Sequence, residues 1–154
     1  MQVAIDYGRD RLTVDVAAER VVALNRPAPP TPVADPAAAV RDAVESPLRY
    51  PPLRRALTPD DHVTVVIDER LPGLTGLVTA VVDHITSAGV APEGVTLLCP
   101  PSGTRQDWVS DLPERLESVQ VATHAATDRK QLAYLATTRK GRRVYLNRAI
   151  VDAD

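Results

Sequence analysis

The residues of this chain best suited to chemistry gather in two short segments. One is Asp68-Glu69-Arg70-Leu71-Pro72-Gly73, and the other is Cys99-Pro100-Pro101-Ser102-Gly103-Thr104-Arg105. A carboxylate facing guanidinium and hydroxyl groups holds a small polar acid, so Asp68, Arg70, Pro72, Ser102, Thr104 and Arg105 are the candidate binding residues. The plainer alternative is that Asp68 caps the next helix and Arg105 lies in solvent, as most surface charges do. The second segment also spaces Cys99 and Arg105 as a cysteine phosphatase spaces its nucleophile and phosphate-binding arginine. Pro100 and Pro101 weigh against that chemistry, because neither has an N–H to cradle a phosphate. Cys99 otherwise reads as a small buried residue at a strand end.

The three histidines are dispersed. His62 precedes a strand, His84 borders the apolar stripe of a helix, and His124 ends a strand four residues before Asp128. No His-x-x-x-His pair or His/Cys cluster occurs, so no metal site is expected from this chain alone. Neither a Walker pattern nor Gly-x-Gly-x-x-Gly is present.

These segments need elements to hold them. Val63 to Ile67 is an apolar, β-branched run of the kind buried on both faces of a parallel sheet. Leu74, Leu77, Val78, Val81 and Ile85 recur at helical spacing, which predicts an amphipathic helix from Leu74 to Ser87 with Gly89 as its C-cap. Val95 to Leu98 is the next buried strand. Strand, helix, strand over residues 63–98 is a βαβ unit with parallel strands. Both candidate segments leave the C-terminal ends of those strands, where ligands of parallel sheets usually sit.

Around this unit, Val3 to Ile5, the alternating Leu12, Val14 and Val16, and Val21 to Leu24 suggest an antiparallel meander. Residues 26–35 form a Pro-rich connector, read as a stiff linker. Asp35-Pro36 starts a helix running to about Glu45, stopped by Ser46-Pro47. Pro52 opens a short helix through Leu57. Gln106 to Leu116 reads as a helix despite Pro113, Val119 to Thr123 as a strand, and Leu132 to Thr137 with Arg143 to Leu146 as a hairpin. The expected fold is α/β and Rossmann-like: a partly parallel mixed sheet with flanking helices and the N-terminal meander, forming a single domain over residues 1–154.

Composition limits the partners. Hydrophobic residues make up 44% and charged residues 25% of 154, ordinary values for a globular protein. The net charge of −2 gives no global attraction to nucleic acid or an anionic membrane. No apolar run nears the roughly 20 residues that span a bilayer, and no signal peptide is apparent. A single cysteine excludes an internal disulfide, so a reducing cytoplasm is the expected compartment. Phe is absent, which leaves the core to Val, Leu, Ile and Ala.

The order of features resembles the N-terminal domain of the nickel-pincer-nucleotide lactate racemases and related 2-hydroxyacid racemases and epimerases. The matching pieces are Val3-Ala4-Ile5-Asp6-Tyr7-Gly8, Asp35-Pro36-Ala37-Ala38-Ala39-Val40, Ser46-Pro47-Leu48, and Val63 to Asp68 with Pro72. Ser87-Ala88-Gly89-Val90, the loop ending in Arg105, His124 with Asp128, Gly141 to Arg148 and Ala153-Asp154 complete the set. They extend over nearly the whole chain.

The resemblance implies hydride abstraction from a hydroxy acid by a nickel-bound pyridinium cofactor, with histidine bases. Of the family's Asp-x-x-Arg-Pro loop, Asp68 and Pro72 are retained, whereas Leu71 takes the arginine position beside Arg70. Of its Ala-Thr-Gly-x-His-Arg loop, Arg105 matches and the histidine position falls on Thr104. In the family a further histidine and the cofactor-linking lysine come just after the position of Asp154. The expectation is therefore a racemase-like domain with no catalytic residue, cofactor or racemase activity of its own. It would hold a small hydroxy acid or nucleotide, or work with a C-terminal racemase-like chain or segment. A binding or scaffold module pairing with a full-length racemase-like subunit is the alternative, and a phosphatase using Cys99 and Arg105 the remote one.

Overall fold

A computed structural model describes residues 1–7, 10–20, 31–101 and 106–154. These fall into two compact units, Met1–Pro32 and Val33–Asp154.

The first unit contains two antiparallel strands, β1 (Gln2–Tyr7) and β2 (Asp10–Asp15), with Val3 opposite Val14 and Ile5 opposite Leu12. The Met1 ammonium donates to the Val16 carbonyl, and Val16 N–H donates back to the Met1 carbonyl. Alternation in β2 predicts a half-buried strand, yet all its residues are exposed, Leu12 at 57%. Period two records which side chains share a face and not whether that face is covered. Val21 to Leu24, expected as a third strand, lies outside the described residues, as does the 26–30 part of the connector.

The second unit opens with α1 (Pro36–Glu45). Asp35 Oδ1 accepts from Ala38 N–H at 2.9 Å, Pro36 occupies the first turn, and the helix ends at Ser46 before Pro47. The short helix α2 (Leu53–Ala56) follows Pro52. The strands β3 (Val63–Val66), β4 (Val95–Cys99) and β5 (Gln120–Thr123) form a parallel sheet in that order. Between β3 and β4 runs α3 (Leu74–Ser87), with the bounds its spacing predicts. Gly89, just past its end, adopts φ +108, where a side chain is strained.

The core lies between α3 and the middle strand. Val82, Ile85, Val90, Val95, Leu97 and Cys99 are fully buried. The reading of β3 as buried on both faces needs correction, because Val66 is 63% exposed. β3 is the edge of the sheet, whereas β4, paired on both sides, is buried along nearly its whole length.

The expected helix from Gln106 to Leu116 is also corrected. Two 3₁₀ turns, Asp107–Asp111 and Glu114–Leu116, occupy the stretch, with Leu112 and Pro113 extended between them. Pro113 pushes Leu112 out of the helical region, and its nitrogen has no N–H to donate to helical pairing. The hairpin forms as expected from β6 (Leu132–Thr137) and β7 (Arg143–Asn147), and a short helix α4 (Arg148–Val151) follows. The Thr64 hydroxyl on β3 donates to the Ala149 carbonyl, and Asp154 and His62 exchange two hydrogen bonds. The C-terminal segment is thereby fastened beside β3. Among the described residues no helix is long and apolar enough to cross a membrane.

Candidate functional site

Because β3 and β4 are adjacent and parallel, the loops after Ile67 and Cys99 leave the same edge of the sheet. The first loop is closed on itself. Asp68 Oδ1 accepts from both the backbone N–H and the Nε of Arg70, each at 3.1 Å. The Arg70 hydrogen bonds hold the Asp68 carboxyl below its ordinary pKa, and the same pair raises that of Arg70. Arg70 is otherwise in solvent, with its side chain 91% exposed.

Asp68 does not cap α3. The N-cap is Gly73, in the left-handed region at φ +66, without a side-chain hydrogen bond to the helix. Pro72 is exposed beside it. Glu69 accepts from Trp108 Nε1 at 3.4 Å, linking this loop to the 3₁₀ turn that follows the second one. Ser102, Thr104 and Arg105 lie outside the described residues.

Cys99 ends β4 fully buried. Burial pushes its thiol up to about 11, and the negative charge of Glu69 adds to the rise. A thiol in that setting stays protonated at neutral pH, the opposite of what a phosphate-attacking nucleophile requires.

Behind the two loops is a cleft of about 290 Å³. Val66, Ile67, Leu98, Cys99 and Pro100 line its sheet side, and Tyr145, Leu146 and Ile150 close it from β7 and α4. Its walls are mainly apolar. The polar side chains in its lining are His124, which follows β5, Asn147, the last residue of β7, and Tyr145 with its hydroxyl.

His124 and Asn147 form one unit. Asn147 is buried, and its Oδ1 accepts from Ala149 N–H at 2.9 Å, capping α4. That contact orients the amide so that Nδ2 faces His124 Nδ1 at 3.1 Å. An amide nitrogen only donates, so Nδ1 must accept and the neutral ring carries its proton on Nε2. His124 is fixed from its backbone as well, its N–H donating to the Cys99 carbonyl at 2.8 Å.

The sequence places His124 at a strand end and includes both residues in the pieces that resemble the family, His124 with Asp128 and Asn147 within Gly141 to Arg148, without giving either a role. Twenty-three positions separate them. The available signal is the Asn147-Arg148-Ala149-Ile150 order, a good N-cap ahead of a short apolar helix.

The class defined by this architecture is an α/β domain with a ligand-sized cleft at the C-terminal edge of a parallel sheet. The family model described as lactate racemase N-terminal domain matches residues 7–154, and the chain belongs to that family. In structure it is similar to the lactate racemase apoprotein from Thermoanaerobacterium thermosaccharolyticum, with a TM-score of 0.61 at 18% sequence identity. That likeness covers 100% of this chain and 37% of the other, so the chain spans well under half the length of that protein. No curated protein matches the chain.

The family resemblance implies a nickel-pincer nucleotide. Among the described residues, no three His, Cys, Asp or Glu side chains are grouped as a metal site would require. Cys99, the only thiol, is held protonated.

Proposed function

We propose that residues 1–154 act as one lactate-racemase-like domain that binds a small hydroxy acid, or a nucleotide, without racemising a substrate alone. The ligand sits at the C-terminal edge of the β3–β4–β5 sheet, bordered by Asp68, Arg70, Pro72, Ser102, Thr104 and Arg105. Turnover belongs to an assembly with a C-terminal racemase-like segment or chain, in a reducing cytoplasm.

The observation that carries this reading is the residue content of the edge. Thr104 stands where the resemblance puts the family's histidine, and a hydroxyl is no base near neutral pH, its pKa being far too high. Leu71 stands where the resemblance puts an arginine. His124, which lines the cleft, has Nδ1 engaged by Asn147 and offers a donor instead. Arg70 is paired with Asp68 through Nε, an exposed pair that opens at little cost.

The test is chiral chromatography of D-lactate or L-lactate after incubation with the 154-residue chain. No interconversion is expected above the protein-free rate. Racemisation by the chain alone would overturn the proposal.

A further inference from the structure

The cleft behind the loops has a character that lactate does not match. At about 290 Å³ it is near the lower end of the range for small-molecule sites, roughly 300–1,000 Å³. Its walls are Ile67, Leu98, Pro100, Leu146 and Ile150. Lactate carries one methyl group and would leave most of these walls against water. A branched or aromatic side chain would cover them.

Of the polar residues lining the cleft, His124, Asn147 and Tyr145, the first two are fixed to each other. Asn147 is held by the Ala149 N–H and donates to His124 Nδ1. The remaining donor of the ring is Nε2–H, which has no partner among the described residues. Protonating Nδ1 or rotating the ring would break the bond to Asn147, so the donor is set before any ligand arrives. A donor fixed in this way on a residue that lines a mainly apolar cleft suits a molecule with an anionic or carbonyl end and an apolar body.

We propose that His124 is a specificity-determining donor for a short 2-hydroxy acid with a branched or aromatic side chain, bound in this cleft in preference to lactate. Its Nε2–H meets the carboxylate, and the apolar body lies against Ile67, Leu98 and Ile150. Asn147 is a positioning residue that selects the tautomer. This inference rests on the reading of the edge as a hydroxy-acid site and names the acid it takes.

The experiment is titration calorimetry of the whole chain with 2-hydroxy-4-methylpentanoate and with lactate. The larger acid is expected to bind at least about tenfold more tightly, from the additional carbons removed from water. His124→Leu, which removes the donor and keeps an apolar side chain, is expected to weaken the larger acid about tenfold to a hundredfold. In the unmodified protein, ¹⁵N nuclear magnetic resonance is expected to show the Nε2-protonated tautomer of His124, a readout that does not depend on the variant folding.

Equal or tighter binding of lactate would overturn the preference and leave the hydroxy-acid reading standing. Unchanged affinity in His124→Leu, or an Nδ1-protonated ring in the unmodified chain, would overturn the role of His124. Failure of both acids to bind would remove the inference and the hydroxy-acid site together. Racemisation would count only against the claim that the domain is inactive alone.

Discussion

The Asp68–Arg70 loop and the His124–Asn147 corner border the same sheet edge and hold their polar groups in opposite ways. In the loop, a carboxylate and a guanidinium two residues apart satisfy each other in solvent. In the corner, a buried amide is oriented by the cap of α4 and in turn orients a histidine. The loop has the more conspicuous charges, but they are already paired with each other and lie in solvent. The corner has no formal charge in its neutral form, and its donor is ready. A binding site gains more from a fixed donor than from a stronger one that must first be released.

The largest stability effect should come from the corner. Asn147→Ala removes the cap of α4 and the partner of His124 Nδ1. A loss of about 2 kcal/mol in urea unfolding is expected, from a cap worth about 1 kcal/mol and a comparable cost for the unpaired ring nitrogen. Asp68→Ala should leave the urea midpoint nearly unchanged, because Asp68 and Arg70 are exposed. A larger loss in Asp68→Ala than in Asn147→Ala would reverse the comparison.

Cys99 lines the cleft, and its carbonyl accepts from His124 N–H. An unfolded thiol ionises near its ordinary value of 9.0, whereas the folded Cys99 stays protonated to about 11. The unfolded chain therefore binds fewer protons between these values, and stability falls as the pH rises through this window. The contribution of this one group is on the order of 2 kcal/mol by pH 11. It is measured as the difference in pH dependence between the native chain and Cys99→Ala. Identical profiles from pH 8 to 11 would show that burial does not hold the thiol.

A smaller effect than those at Asn147 and Cys99 belongs to the loop backbone. Gly73 adopts φ +66, and nothing lies within 4 Å of where a Cβ would stand. Gly73→Ala should cost about 1 kcal/mol from backbone conformation alone, since the space is open. A neutral substitution would mean that the loop shifts freely at the start of α3, which would widen the contrast with the corner.

How much of this was legible beforehand depends on sequence distance. The bounds of α1 and α3 and the parallel pairing of β3 with β4 follow from local signals: Asp35-Pro36, Ser46-Pro47, and apolar spacing from Leu74 to Ile85. The stretch from 106 to 116 reads as a helix despite Pro113, yet Pro113 governs the backbone there and divides it into two 3₁₀ turns. The exposure of Val66 depends on β3 being an edge strand, a fact of strand order that no local pattern contains.

The site was legible in its location and less so in its contents. Residues 63–98 indicate which edge to inspect. The Asp68–Arg70 pair could have been anticipated from a spacing of two. The His124–Asn147 pair required β5 and β7 to be brought together, which neither residue announces in sequence.

The most direct test of the account is a ¹⁵N-resolved titration of the chain with 2-hydroxy-4-methylpentanoate, following the amide resonances around both regions. The account predicts the largest shifts at Cys99, His124, Leu146 and Asn147, with smaller ones at Glu69, Arg70 and Leu71 as the loop adjusts. Shifts confined to residues 68–71, with His124 and Asn147 unmoved, would contradict it.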